Sequence, residues 1–415
     1  MTTILSRPKE KIKILLLEGI SEIAVAALNT AGYTNVDLRK ASLEGEELRA
    51  ALNGVSMLGI RSRTQLTPEV LNGLRSVIAV GCFSVGTNQV DLWTARDMGI
   101  PVFNAPFSNT RSVAELTIAE IIMLFRHIFP KSAAAHGGGW LKSAADSREV
   151  RGKTLGIIGY GNIGSQLSGL AEAMGMHVIF YDPSDKLNRG NVQPADTLAA
   201  LLAESDVVSL HVPETPETKG LIGAAEFRAM KKGAFFINNA RGTVFDDEAL
   251  TAALKDGHLA GAAVDVFPVE PTANDERFVS PLQGLSNVIL TPHIGGSTEE
   301  AQERIGGEVA RKLIEYSDVG STNGSVNFPQ VQLPQRPTGT RFIQVHKNLP
   351  GEINRLNAIF ARREINIAAQ YFQTDGQIGY VVLDADGPVE DAQSILKEVR
   401  TLAGTVRARM LYSRS

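Results

Sequence analysis

Leu155-Gly156-Ile157-Ile158-Gly159-Tyr160-Gly161-Asn162-Ile163-Gly164, followed by Asp182 at the end of the next apolar run Val178-Ile179-Phe180-Tyr181, decides how this chain folds. An apolar strand over 154–158, a glycine turn, a helix over 165–174 and a second strand ending in an acid form one βαβ unit. Gly159 permits the tight turn, Gly161 lets the backbone approach a pyrophosphate, and Gly164 lets the helix pack closely on the sheet. The helix N-terminus offers an anion site. A carboxylate at Asp182 accepts ribose hydroxyls and repels a 2′-phosphate, which points to NAD rather than NADP. Lys186 and Arg189 stand close enough in sequence to keep NADP use open.

Well over a hundred residues precede this turn, so another unit folds first. Strands over 12–17, 36–38, 57–60 and 77–80 alternate with helices over 21–31, 45–52 and 68–74, the pattern of a small doubly wound α/β unit. Residues 112–129 read as one long apolar helix. Beyond the turn, strands are expected over 207–211, 234–238, 262–266 and 288–290, and a helix over 298–317 returns the chain toward the first unit. The expected organisation is therefore a nucleotide domain (109–298) inserted into a first domain (1–108 and 299–330), both Rossmann-like. Gly, Ser, Asn and Pro crowd 320–339, which reads as a linker with its boundary set at 331–340. The remaining 341–415 follow the order βαββαβ of a ferredoxin-like unit, suited to a ligand sensor or to a dimerisation module.

Composition narrows the function classes. A net charge of −4 over 415 residues supplies no basic face for nucleic acid. The single cysteine, Cys82, forms no internal disulfide and no metal cluster, as expected of a reducing cytoplasm. The polar N-terminus and the lack of a long apolar run predict a soluble protein with no membrane partner.

Ligands of open α/β sheets bind where strands end. The strand over 234–238 runs into Asn239-Ala240-Arg241-Gly242; the strand over 262–266 carries Asp265 and precedes Glu270; the strand over 288–290 precedes Thr291-Pro292-His293-Ile294-Gly295-Gly296. A cation, a carboxylate and an imidazole suit hydride transfer. His293 would move the proton of a carbinol oxygen, Glu270 would orient the imidazole and raise its pKa, and Arg241 would clamp a substrate carboxylate. Singly, each residue is as readily a surface or loop residue; His127, His136, His177, His211 and His258 lack such a context and read as structural or surface residues.

These motifs, with Val264-Asp265-Val266-Phe267, Glu270-Pro271 and the segment Gly81-Cys82-Phe83-Ser84-Val85-Gly86-Thr87-Asn88-Gln89-Val90-Asp91, resemble the signatures of the D-isomer-specific 2-hydroxyacid dehydrogenases. Within that family the resemblance is to members that oxidise 3-phosphoglycerate to 3-phosphohydroxypyruvate, the first step toward L-serine. It implies Arg241, Glu270 and His293 as the catalytic set. It also implies NAD contacts from Asn162, Ile163, Asp182, Asn239, Ala240, Arg241, Asp265, His293, Ile294, Gly295 and Gly296. Substrate contacts follow at Arg61, Arg63, Ser84, Gly86, Asn109 and Arg241, with Lys142 as a weaker candidate. Where many relatives carry a phosphate-binding Arg, this chain has Cys82, so Arg61 and Arg63 are the expected substitutes. The C-terminal unit resembles an ACT domain, which implies L-serine binding at an interface between two such domains through His346, Asn348 and Asn366, in a homo-oligomer expected to be a tetramer. Reduction of 2-oxoglutarate is an expected side activity. The competing readings are a glycerate- or lactate-type dehydrogenase and a non-catalytic NAD sensor.

Overall fold

A computed structural model describes residues 7–187, 189–271, 275–334, 339–386 and 391–412. It divides into two compact units, one formed by the described residues up to Ser108 and from Gln302 onward, the other by Asn109–Ala301.

The first unit opens with β1 (Ile14–Leu16), β2 (Val36–Leu38), β3 (Met57–Ile60), β4 (Ala79–Cys82) and β5 (Val102–Phe103), which form one parallel sheet in the order β2-β1-β3-β4-β5. β1, β3 and β4 are buried along their whole length, as a parallel sheet covered on both faces requires. One face is closed by Val309, Leu313 and Tyr316 of the helix Glu299–Val319, against Ile14, Leu16 and Phe103. β5, only two residues long, gave no periodic signal.

The second unit holds β6 (Thr154–Ile158), β7 (His177–Tyr181), β8 (Gln193–Pro194), β9 (Val207–Leu210), β10 (Ala234–Asn238), β11 (Leu259–Val264) and β12 (Val288–Leu290). All pair in parallel, in the order β12-β11-β10-β9-β6-β7-β8. The order reverses at β6 and β9, the crevice where doubly wound sheets take their ligands. The helix after the glycine turn spans Asn162–Ala173 and so begins earlier than the 165–174 expected; β11 ends at Val264, which leaves Asp265 free to bend into a loop.

The expected single helix over 112–129 is two helices, Thr110–Phe125 and Ile128–His136, separated by His127 in a left-handed conformation (φ 49°). Pro130 explains the break. Its ring cannot continue a helix interior but is tolerated in a first turn, so the second helix must start just before it. His127 Nε2 lies 3.1 Å from the Asp146 carbonyl, which gives the kinked residue a partner.

The third sheet belongs to the first unit: β13 (Thr340–Lys347), β14 (Ile367–Thr374), β15 (Ile378–Ala385) and β16 (Thr405–Tyr412) run antiparallel in the order β14-β15-β13-β16. With the helices Glu352–Ala361 and Ala392–Thr401 this is the βαββαβ arrangement. Ile343, Val345, Tyr380 and Val382 join the same apolar cluster as Ile14 and Leu313, so this sheet shares a core with the first one. Tyr380 Oη donates to Gly320 O at 2.6 Å.

The segment read as a linker over 320–339 is packed through its described part. Phe328, Val331 and Leu333 are buried, Thr322 N donates to Val331 O at 2.9 Å, and the Asn327 side chain accepts from Val102 N and donates to Ile100 O. The Ser and Asn side chains that gave the stretch a linker-like composition hold backbone groups instead. Residues 335–338 lie outside the described residues.

Candidate functional site

At the end of β6, Gly159 adopts φ +93°, and a Cβ there would sit 2.6 Å from His211 O. A Cβ on Gly164 would collide with the Gly159 carbonyl, so the helix Asn162–Ala173 lies directly against the strand end. Gly161 differs: nothing lies within 4 Å of where its Cβ would be. Two glycines close the turn and the third keeps open the space in front of the helix N-terminus, the shape a pyrophosphate needs. Tyr160, in the turn itself, is buried, stacked on Phe180 at 4.0 Å.

Asp182 follows β7 directly. One carboxylate oxygen accepts from Tyr160 N at 2.9 Å and the other from Ser184 N and Oγ at 3.0 and 2.7 Å. Burial raises its pKa, but the Ser184 hydroxyl and amide, the Tyr160 amide and Lys186 outweigh that and hold it ionised below the usual range. Lys186 Nζ turns to this carboxylate at 3.8 Å. The glycines and the carboxylate therefore fit an NAD-type dinucleotide.

Three strand ends meet nearby. Asn238, the last residue of β10, donates to Arg241 O at 2.9 Å and accepts from Ala240 N at 3.0 Å, which bends Asn239-Ala240-Arg241 back over the strand. Gly242 is obligatory there, since any Cβ would collide with the Phe267 carbonyl. Asp265 is buried; its carboxylate accepts from Thr291 Oγ1 at 2.6 Å, Ile294 N at 2.8 Å and Gly295 N at 2.7 Å. That clasp fixes the loop carrying His293, whose backbone is left-handed at φ 53° and whose N–H donates to Asp265 O. Gly296 lies against the Asn109 side chain, with no room for a Cβ.

His293 Nδ1 lies 2.7 Å from Glu270 Oε2, and Glu270 Oε1 accepts from Phe267 N at 2.9 Å. The Glu270 hydrogen bond raises the imidazole pKa above its ordinary 6.5, assisted by the charges of Glu270 and Asp265 and opposed by burial and by Arg241. Burial raises the Glu270 pKa, but His293, the Phe267 amide and Arg241 bring it below the ordinary value. His293 is half exposed, so its Nε2 side is open to a ligand.

The other expected substrate residues, Arg61, Arg63, Ser84 and Gly86, belong to the first unit. Residues 61–64 are wrapped around one carboxylate: Glu18 Oε1 accepts from Arg61 N and Thr64 N, and Oε2 from Ser62 N and Arg63 N, at 2.9–3.1 Å. Glu18 itself sits at φ 63°. Burial raises its pKa and the amides of this nest lower it further, with a net fall. Gln89 reaches both Arg61 O and Ser84 Oγ. Cys82 is fully buried in the core, and burial pushes its thiol far above the usual range, so it presents nothing to a phosphate. Lys142 is exposed.

His346 lies on β13, buried and stacked on Phe372 at 5.9 Å, with Nδ1 unpartnered among the described residues. Burial lowers its pKa. Asn348 follows the same end of β13, and its N–H donates to Gln377 O. Asn366, whose side chain bonds Asp386, precedes β14 at the other end. The register pairs His346 with Gly379 and Ile367 with Ala385, so about six residues, roughly 20 Å, separate the two ends within one chain. The three effector positions are not brought together by one chain.

Two acids went unnoticed in the sequence: Glu18, hidden after a strand, and Glu120, which accepts from Asn239 Nδ2 at 2.7 Å. Glu120 had a signal. It falls on the stripe Val113, Thr117, Glu120, Leu124 that faces the core, where a charge is out of place. Among the described residues no helix is long and apolar enough to cross a membrane, and no group of three potential metal ligands occurs.

Comparison with known proteins extends this description. The model of the D-isomer specific 2-hydroxyacid dehydrogenase NAD-binding domain matches residues 118–295, and that of the AHAS small subunit-like ACT domain matches 342–407. The D-3-phosphoglycerate dehydrogenase of Haemophilus influenzae is 56% identical over 412 residues, 99% of this chain and 100% of the relative. That of Escherichia coli is 54% identical over 407 residues, 98% and 99% of the two chains. A crystal structure of D-lactate dehydrogenase from Aquifex aeolicus, complexed with NAD and lactic acid, superposes with a TM-score of 0.66 at 27% identity, over 77% of this chain and 100% of the other. This chain belongs to the D-isomer specific 2-hydroxyacid dehydrogenase family, and an ACT domain follows its two Rossmann-like sheets.

Proposed function

We propose that the protein oxidises 3-phosphoglycerate to 3-phosphohydroxypyruvate with NAD, the entry step to L-serine, in the cytoplasm. The observation that carries this reading is the His293–Glu270 pair at 2.7 Å, set on a loop clasped by Asp265, in a chain similar along nearly its whole length to D-3-phosphoglycerate dehydrogenases. NAD, when bound, supplies the acceptor for the hydride leaving the carbinol carbon. Gly161 leaves room for its pyrophosphate, Asp182 takes its ribose, and the loops at Asn239–Arg241 and His293–Gly296 line its nicotinamide end. His293 Nε2 takes the hydroxyl proton, so the alcohol loses a hydride and a proton and becomes a ketone. Glu270, on Nδ1, fixes the tautomer that leaves Nε2 as the acceptor and stabilises the imidazolium that forms. Arg241 pairs with the substrate carboxylate; Arg61 and Arg63, with Ser84, Gly86 and Asn109, serve the phosphate and the remaining hydroxyl.

The effector is L-serine, held by His346 and Asn348 of one chain and Asn366 of another, in a homo-oligomer we take to be a tetramer; the distance between the positions in one chain supports a second chain at the site. One assay tests the catalytic reading. Purified protein should oxidise NADH with 3-phosphohydroxypyruvate, more slowly with 2-oxoglutarate, and lose turnover on adding L-serine. NADH binding without turnover of any 2-oxo acid would leave only a nucleotide-binding protein.

A further inference from the structure

Glu120 is a carboxyl group with almost no exposure, on the helix Thr110–Phe125, in the unit that holds the dinucleotide turn. No step proposed above uses it. Its Oε2 accepts from Asn239 Nδ2 at 2.7 Å, and the second Nδ2 hydrogen goes to Thr117 Oγ1 at 3.0 Å, which itself donates to Val113 O. The opposite atoms of the same two groups, Glu120 Oε1 and Asn239 Oδ1, are both buried and have no partner. Two orphaned acceptors on two groups already joined by one hydrogen bond form a specific pattern. A proton on Oε1 would remove one orphaned acceptor and supply a donor for the other, Oδ1, while Oε2 still accepts from Nδ2. Left ionised, the pair would bury an unpaired charge and two unmet acceptors, each an expensive state.

We propose that Glu120 is a positioning residue for the cofactor-contacting loop, holding Asn239 through an acid–amide ring of two hydrogen bonds that exists only while Glu120 carries its proton. The inference rests on the dinucleotide reading of that loop. Burial pushes the Glu120 carboxyl up to about 8, and the Asp265 charge adds to this while the Asn239 hydrogen bond opposes it. Asp265 is the charged group acting on it; Thr117 and Asn239, the other groups facing it, are neutral. The ring is therefore intact at neutral pH and opens in mildly alkaline solution. Asn239 begins the turn that ends in Arg241, so opening it loosens the backbone expected to line the nicotinamide.

The Glu120→Gln variant separates this from a merely structural role, since a glutamine keeps the same two hydrogen bonds and cannot ionise. NADH fluorescence titrations of the full-length protein and of E120Q should run from pH 6.5 to 9.5, alongside infrared difference spectra at pH 7. Above pH 8 the wild type should lose several-fold more NADH affinity than E120Q, and a protonated-carboxyl band present in the wild type should vanish in E120Q. Glu120→Leu, which keeps the volume but not the ring, should bind NADH weakly at every pH. Parallel pH profiles for wild type and E120Q, or no carboxyl band assignable to Glu120, would overturn this inference and leave the dehydrogenase reading intact. No NADH binding by either protein at any pH would overturn both.

Discussion

Glu270 Oε2 and His293 Nδ1 lie 2.7 Å apart on two loops that leave neighbouring strands, and the imidazole sits on the second loop in a left-handed conformation. That relationship sets the pH behaviour. The imidazole pKa is raised mainly by the Glu270 hydrogen bond, and oxidation of a hydroxyl needs the neutral ring. The rate of oxidation should fall as pH drops through a value above 6.5, while reduction of the oxo acid falls as pH rises through it. Glu270→Gln should move both inflections to lower pH, read from kcat/KM profiles. His293→Ala should cost about 10²–10⁴-fold in kcat while the protein still binds NADH.

Asp265 holds three donors of the loop that carries His293. Asp265→Ala orphans two amides, that of Gly295 buried and that of Ile294 partly so, and a hydroxyl at once. Equilibrium denaturation should register a loss of about 2–4 kcal/mol, together with weaker NADH binding. An unchanged denaturation midpoint would mean that the loop holds its shape without the carboxylate.

Gly161 and Gly164 share a motif but face different surroundings. Gly161→Ala meets open space and should leave the melting temperature nearly unaltered while weakening NADH binding; Gly164→Ala meets the Gly159 carbonyl and should lower thermal stability. Differential scanning fluorimetry beside NADH titration separates the two. Equal effects on both readouts would argue against a pyrophosphate at this turn.

Glu18 binds four consecutive amides of the segment that carries Arg61 and Arg63. Glu18→Gln keeps the shape but turns a donor toward amide donors, and should raise the KM for 3-phosphoglycerate with a smaller change in kcat. The Glu18 pKa is depressed in the fold, so its stabilising contribution is full above the unfolded value near 4.5 and is lost as pH falls through the lower folded value. The stability difference between wild type and E18Q should therefore shrink in acid, as denaturant melts at pH 7 and pH 3 would show.

The long apolar runs were legible because their patterns admit one reading: β6, β10 and β12 begin and end where the apolar runs and turn residues put them. The pairing of Glu270 with His293 was legible because strand ends of an open sheet are where polar side chains of neighbouring loops gather. What escaped depended on partners far away in sequence. Nothing near Glu18 announces that its carboxylate will collect the amides of residues 61–64, and nothing in 320–334 announces that Asn327 will cap the edge at Val102. The helix break at His127 was legible in retrospect from Pro130, and Glu120 from its place on an apolar stripe; in both cases the apolar pattern outweighed the one residue that contradicted it.

The shared core of the first unit inverts the usual relation between the order of synthesis and the order of folding. Ile14, Leu16, Ala24 and Leu28 are buried against Ile305, Val309, Leu313 and Tyr316, residues made some three hundred positions later. The inserted unit, Asn109–Ala301, is complete before those residues leave the ribosome, and Ser112 Oγ and Thr298 Oγ1, 2.8 Å apart, fasten its two ends. A nascent chain that has emerged from the ribosome just as far as Ala301 thus carries a finished nucleotide fold behind a first hundred residues with an uncovered apolar face. Limited proteolysis of chains stalled at that length should spare the insert and cut the beginning, since the first segment still lacks the helix that covers its apolar face.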